Sequence, residues 1–225
     1  MCNRIIAIGD IHGSAKWKDI VDENKNATIV FLGDYLDPYH INDYDELWNN
    51  FVDIIRFKQD NIDRVVLLLG NHDLHYFCDD MSIGTRYNFL LAERIRRMFL
   101  DNRELFQYAY QVKNIIFTHA GISHPWFVND FKGDIHGDIA AQLNAPDDRQ
   151  VQALFQVGAV RGGDAGLMGG IFWADRSELN DPLHGFVQVV GHNRVDDVIE
   201  FAYAGDNKII FCDCLWNGKF FKISI

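Results

Sequence analysis

The chain is poor in everything that staples, anchors or strings out a fold. Its 225 residues include four cysteines, four prolines and no long apolar run. Cys2, Cys78, Cys212 and Cys214 lack the regular spacing of a disulfide framework. Cys212-Asp213-Cys214 has one intervening residue where zinc half-sites use about two to four. No second pair accompanies it, so a structural zinc ribbon is excluded and Cys212 reads as a reduced core residue of a strand. So few prolines leave no Pro-rich linker, and 1–225 reads as one domain. No stretch approaches the roughly 18 apolar residues of a membrane helix. Residues 1–9 read as a strand and not as a secretory leader, so a cytoplasmic protein with no membrane partner is expected. Basic residues are also scarce, with 21 Lys plus Arg against 32 Asp plus Glu and a net charge of −11. That balance argues against a nucleic-acid polymer or an anionic lipid surface as partner. It leaves room for a local anion site built on bound cations.

Five polar motifs stand out against this background. Each follows directly on a β-branched, apolar run. Arg4–Ile8 leads into Gly9-Asp10-Ile11-His12-Gly13, and Ala27–Leu32 into Gly33-Asp34-Tyr35-Leu36-Asp37. Arg64–Leu69 leads into Gly70-Asn71-His72-Asp73, Asn114–Phe117 into Thr118-His119-Ala120-Gly121, and Phe186–Val190 into Gly191-His192. Short Val/Ile/Phe runs bounded by Gly read as buried strands. In open α/β sheets, ligands gather just past the carboxyl ends of the strands. One topological rule therefore brings Asp10, His12, Asp34, Asn71, His72, His119 and His192 into one crevice.

The remaining pattern alternates strands and helices. Strands are expected near 4–8, 27–32, 64–69, 114–117, 186–191 and 208–213, with a further one at 218–224. Helices are expected near 14–22, 43–60, 86–101 and 147–155. In 43–60, Leu47, Phe51, Ile54 and Ile55 recur at helical spacing, with Asp43 or Asp45 able to cap the start. In 86–101, Phe89, Leu90, Ile95 and Met98 or Phe99 share a face. The β-α-β-α opening implies a parallel or mixed sheet covered by helices. Gly158–Gly170 holds six glycines and reads as a long loop, either functional or a surface excursion.

The donor set of carboxylate, imidazole and amide oxygen suits divalent manganese, iron, cobalt, nickel or zinc. Residues two apart on an extended segment face one way, so Asp10 and His12 can reach one ion. Asp34 has two carboxylate oxygens and is the natural bridge. Asn71, His119 and His192 would complete a second ion's shell. Two ions about 3.5–4 Å apart clamp an in-line displacement at phosphorus and acidify water between them. Taken singly, each residue has a plainer reading: a Gly-Asp turn, a hydrogen-bonded structural histidine, or an asparagine in a left-handed turn. Taken jointly, they point to metal.

The series Gly-Asp-x-His-Gly, Gly-Asp-x-x-Asp, Gly-Asn-His-Asp, His-Ala-Gly and Gly-His resembles the calcineurin-like metallophosphoesterase superfamily, across residues 9–192. Within it the chain is similar to the phosphoprotein-phosphatase branch, which holds small bacterial and phage serine/threonine phosphatases and symmetrical diadenosine tetraphosphate hydrolases. The resemblance implies an α/β four-layer sandwich, with two mixed β-sheets flanked by helices and a dinuclear site at one edge. It implies a first metal on Asp10, His12 and Asp34, and a second on Asp34, Asn71, His119 and His192. Manganese leads the candidates, with iron, zinc, nickel or cobalt as alternatives. It further implies that His72 protonates the leaving oxygen and that Asp37 is its carboxylate partner. A third nitrogen ligand is the other reading of His72.

The chain departs from that pattern in one place that matters. An arginine that clamps phosphate often follows the second Asp of Gly-Asp-x-x-Asp, and here the position is Pro38. Proline offers an anion neither side-chain nor backbone donors. Arg161 in the Gly-rich loop is the first substitute, followed by Arg86, Arg194 and Arg176. His75, in Gly-Asn-His-Asp-Leu-His, faces either substrate or solvent. The expected activity is metal-dependent hydrolysis of phosphate monoesters, with a serine/threonine phosphoprotein as substrate. A pyrophosphohydrolase acting on dinucleoside tetraphosphates is the alternative, with Trp173 and Arg176 near its bases. A non-catalytic binding module ranks last, because every ligand position and the acid position are filled.

Overall fold

The computed structural model describes residues 4–40, 43–78 and 84–225. Among the described residues, ten strands form two five-stranded sheets. The first contains β1 (Arg4–Ile8), β2 (Thr28–Phe31), β3 (Val65–Leu68), β4 (Phe106–Gln107) and, at the end of the chain, β10 (Phe221–Ser224). Its order is β10-β1-β2-β3-β4, with β1 to β4 parallel and β10 antiparallel on the edge. The second contains β5 (Ala109–Val112), β6 (Ile115–Thr118), β7 (Val187–Arg194), β8 (Ile199–Ala202) and β9 (Lys208–Asp213). Its order is β5-β6-β7-β9-β8, parallel at the centre and antiparallel at both edges. This is the expected pair of mixed sheets.

Alternation along each strand decides the layers. Ile5 and Ala7 of β1, Val30 of β2 and Leu68 of β3 pack with Phe117, Val189, Ile210 and Cys212 of the second sheet. Ile6, Ile8, Ile29, Phe31 and Leu67 point the other way and pack with Trp17, Phe51, Ile54 and Phe99 from the covering helices. The helices are α1 (Trp17–Glu23), α2 (Tyr44–Asp60), α3 (Asn71–Phe77), α4 (Ala92–Asp101), α5 (Ile139–Asn144) and α6 (Gln150–Leu154). Helix α2 starts where expected, because the Asp43 side chain accepts from Asp45 N and Glu46 N.

Several expected bounds move, each for a local reason. The helix expected from 86 begins at Ala92, because Arg86 adopts φ +63° and the Asn88 side chain accepts the Leu90 and Leu91 N–H groups. Phe89 and Leu90, expected on its buried face, are instead exposed. The helix expected over 147–155 contracts to Gln150–Leu154, and the one expected over 14–22 starts at Trp17. Strands β4, β5 and β8 were not expected; each is four residues or fewer, and none carries a Gly-bounded apolar run. The Gly-rich stretch is a loop with one short 3-10 turn, Ala159–Arg161. Cys212 and Cys214 are free thiols, and Cys212 lies buried on β9.

Close approach of two strand ends fixes the site's floor. Gly33 has φ +103°, and a Cβ there would lie 2.3 Å from Gly70 N. Gly218 has φ +72°, with open space around its missing side chain. Gly33→Ala is expected to cost about 3 kcal/mol, from strain plus overlap. Gly218→Ala should cost about 1 kcal/mol, from conformation alone. Urea unfolding of the two variants tests this, and equal losses would refute the close-packing argument.

Candidate metal centre and active site

Every motif residue reaches the crevice from the carboxyl end of a strand. Asp10 and His12 follow β1, Asp34 and Asp37 follow β2, Asn71 and His72 open α3 after β3, and His119 follows β6. His192 differs slightly from expectation. Strand β7 runs on to Arg194, and His192 sits at φ +60° where its register against β9 shifts. Seven non-glycine residues have positive φ among the described residues, and His12, Asp34, Asp37, Arg86 and His192 are five of them. Left-handed backbone in such residues is costly and concentrates at functional sites.

Asp34 sits at the centre. Its backbone N–H donates to Asp73 Oδ2 at 2.7 Å, and its Oδ1 accepts the His72 N–H at 2.8 Å. Asp73 also accepts from Tyr35 N and Gly70 N, tying the second and third motifs together. On one side, His12 Nε2 lies 3.7 Å from Asp34 Oδ2 and 3.9 Å from Asp10 Oδ2. His12 Nδ1 is 2.8 Å from the Leu36 carbonyl, so its proton is committed there and Nε2 presents a bare lone pair. On the other side, His119 Nε2 lies 3.7 Å from Asp34 Oδ1. His119 Nε2, Asn71 Oδ1 and His192 Nδ1 lie within 2.9–3.2 Å of one another.

This second cluster shows whether a cation fits. His119 Nδ1 donates to the Leu32 carbonyl at 2.8 Å, leaving Nε2 an acceptor. Asn71 Oδ1 is an acceptor as well. A proton on His192 Nδ1 could serve both, yet the 2.9 Å contact between His119 Nε2 and Asn71 Oδ1 would still join two acceptors. His192 Nε2 is buried without a partner. Burial, chiefly, lowers His12 to about 4 and depresses His119 and His192, so all three imidazoles are neutral near pH 7. Asp10 is pushed upward by burial and by the charges of Asp213 and Asp34. Buried, mutually repelling carboxylates beside bare imidazole nitrogens are the donor set of divalent cations. Asp10, His12 and Asp34 make one candidate group, and Asp34, Asn71, His119 and His192 the other.

Beside them His72 Nδ1 meets Asp37 Oδ2 at 3.0 Å. The His12 and His72 rings are 5.3 Å apart, edge to face. Asp37 is fully buried, and Tyr76 Oη donates to its Oδ1 at 2.6 Å. Burial alone would raise the Asp37 carboxyl, but hydrogen bonds from His72, His75 and Tyr76 outweigh it and hold it below the ordinary range. His75 faces neither substrate nor solvent: it is buried, with Nε2 2.7 Å from Asp37 Oδ2.

The arginines separate clearly. Arg86 Nη2 lies 2.9 Å from His72 Nε2, and its guanidinium stacks on Tyr39 at 4.0 Å. Arg194 lies over Tyr39 at 5.0 Å and over Trp216 at 4.4 Å. A small cleft beside Asp10 and His12 is lined by Tyr39, Arg194, Asp213 and Trp216. Arg161 is held by Asp175 at 2.9 Å and Asn193 at 2.8 Å, and its charge acts on His119 and His192. Arg176 stacks on Phe201 and Phe211. Sequence reasoning passed over Tyr39, Tyr76, Asp213 and Trp216. Tyr39 follows the unusual Pro38, which was a usable signal. Asp213 was read only as the spacer between two cysteines.

Buried carboxylates and bare imidazole nitrogens at strand ends, two groups sharing one aspartate, define a metal-dependent hydrolase centre. The chain belongs to the calcineurin-like phosphoesterase family, whose model matches residues 3–206. Solved structures agree on the fold. A cold-active protein-tyrosine phosphatase of a psychrophilic Shewanella species is 16% identical, covering 95% of this chain and 72% of its own, with a TM-score of 0.56. A protein serine/threonine phosphatase from Saccharomyces cerevisiae, with similarity to human phosphatase PP5, is 15% identical, covering 93% and 67%, with a TM-score of 0.54. No curated protein gives a significant sequence match.

Burial and the charge of Asp34 raise Asp213 from 3.8 to about 7, against Arg194 and Arg86. The folded, metal-free chain thus holds this proton more tightly than the unfolded chain. Ionising Asp213 costs stability as pH rises from the unfolded value through about 7. Asp213→Asn should therefore raise the Tm of metal-free protein near about pH 8 and leave it unchanged near about pH 3. A thermal-melt series across pH checks this, and an offset independent of pH would contradict it.

Proposed function

We propose that this chain hydrolyses phosphate monoesters of alcohols, with phosphoserine or phosphothreonine in proteins as the substrate class. The observation that carries the reading is the His72–Asp37 pair beside the candidate metal groups. An alkoxide is a poor leaving group and needs a proton, and a histidine fixed by a buried carboxylate can donate one. A phosphoanhydride releases a phosphate oxygen that needs no such help. Asp37 holds His72 through Nδ1, so Nε2 is the atom that would protonate the leaving oxygen. Asp10, His12 and Asp34 would hold one divalent ion, and Asp34, Asn71, His119 and His192 a second, with manganese proposed for both. When bound, such ions supply Lewis acidity to phosphoryl oxygens and acidify water.

Arg86 is the proposed replacement for the clamp missing at Pro38. It already contacts His72 Nε2, the position a phosphoryl group would approach. Arg194 stands behind it across Tyr39. Arg161 is the third substrate-binding candidate, aimed at the His119–His192 side. We read 1–225 as one domain. A cytoplasmic setting fits the free thiols Cys212 and Cys214, and no helix among the described residues is long and apolar enough to cross a membrane.

A second reading, bis(5'-nucleosyl)-tetraphosphate pyrophosphohydrolase, draws on a different feature. Two guanidinia flank Tyr39 next to a part-exposed Trp216, an arrangement suited to several phosphates and a base. Side-by-side turnover of a phosphoserine peptide and diadenosine tetraphosphate by manganese-loaded protein separates the two. Preference for the dinucleotide would overturn the first reading.

His72→Asn should lower peptide turnover by about 10²–10⁴-fold with metal content unchanged. Full activity in that variant would remove His72 as the acid. Arg86→Ala should lower kcat/KM by about a hundredfold, whereas an undiminished value would hand the clamp to Arg194 or Arg161.

A further inference from the structure

We propose that His75 is a positioning residue for the proton donor, the outer member of a buried His75–Asp37–His72 relay. The inference rests on the reading of His72 as the acid. The geometry begins at Gly84, whose N–H donates to His75 Nδ1 at 3.1 Å. A neutral His75 that accepts at Nδ1 carries its proton on Nε2. That atom lies 2.7 Å from Asp37 Oδ2, the same oxygen that meets His72 Nδ1 at 3.0 Å. His75 Nε2 is buried and meets no other polar partner among the described residues. Asp37 Oδ1 takes the Tyr76 hydroxyl, whose own oxygen accepts the Asn88 N–H at 2.8 Å.

Both oxygens of a fully buried carboxylate are therefore held by side chains of α3. No Lys or Arg pairs with Asp37 among the described residues. The carboxylate plane is fixed from two directions, and His72 inherits its ring orientation from that plane. His75 and His72 lie one turn apart on α3, which is why Leu74 can face the core while both imidazoles face Asp37. Tyr87 packs on His75 and stacks on Tyr76, closing the cluster from outside.

Asp37, His72 and His75 could instead hold a cation among their three ligand atoms. The test separates a relay, a cation site and a failure of the acid reading. His75→Gln keeps an N–H donor near the Nε2 position; His75→Leu removes it. Manganese-loaded proteins would be assayed on a phosphoserine peptide and on dinitrophenyl phosphate, whose leaving group needs no proton. The relay predicts that His75→Leu shifts the ratio of the two rates against the peptide by about tenfold or more. His75→Gln should restore most of that ratio. His72→Asn shifts the ratio further in the same direction. Nitrogen NMR of labelled histidines in metal-free protein should show His72 Nδ1 protonated in the wild type and in His75→Gln, but not uniformly in His75→Leu. If His72→Asn shifts the ratio and His75→Leu does not, the relay is wrong and the acid reading stands. If neither shifts it, the acid reading itself fails. If His75→Leu loses one bound ion per chain, the cluster is a cation site and the relay is overturned.

Discussion

The site depends on keeping one buried aspartate in a left-handed turn between two sheets. Asp34 belongs to both candidate metal groups, and nearly every loop of the crevice is tied to it. Its carbonyl accepts the Ile11 and His12 N–H groups, which sets the first motif's turn. Its N–H is held by Asp73, and its carboxylate takes the N–H of His72. A carboxylate this enclosed would not persist charged without partners. Burial pushes its carboxyl up, but attraction to His119, His72 and His12 when they carry charge, together with the His72 N–H bond, holds it below the ordinary carboxylate range. With His12 and His119 neutral near pH 7, the cluster is organised around a charge that cations of the kind the donor set suits would balance.

Much of this was legible because chemistry and topology share a periodicity. A parallel strand buried on both faces is a continuous apolar run, and the first polar residues after it must lie in the crevice. Asp10, Asp34, Asn71 and His119 could be placed from that rule alone. His192 was placed correctly in space but not in structure, since a register shift inside β7 is invisible in a run such as Val189-Val190-Gly191. Short edge strands such as β4 and β8 owe their existence to a neighbour's free backbone groups, so their own residues carry little signal. The start of α4 was misjudged for a related reason: Phe89 and Leu90 have helical spacing, but Arg86 and Asn88 commit the backbone to turns.

Contacts made by side chains far apart in sequence were the least legible. His75 lies three residues beyond His72, and only the approach of Asp37 from another loop turns it inward. Tyr39 likewise acquires meaning from Arg86 and Arg194, which arrive from two other segments. Loss of an arginine at Pro38 was read as a gap to be filled from one place. The structure distributes the positive charge over two rims, with Arg86 and Arg194 on one and Arg161 on the other. Aromatic rings, not carboxylates, hold the first pair, and Arg86 also contacts His72 Nε2 through Nη2.

The first sheet is completed by β10, a strand far removed in sequence from its partner β1. Arg4 pairs with Ser224 and Ala7 with Phe221, so β10 seals the outer edge of β1. Without that segment, β1 would present an open row of backbone donors and acceptors beside the very turn that carries Asp10 and His12. The β2–β3 pair joins segments closer in sequence, whereas the crevice's first wall closes only when β10 reaches back to β1. Assembly of the centre is therefore tied to a contact of great sequence separation, the kind that forms slowest.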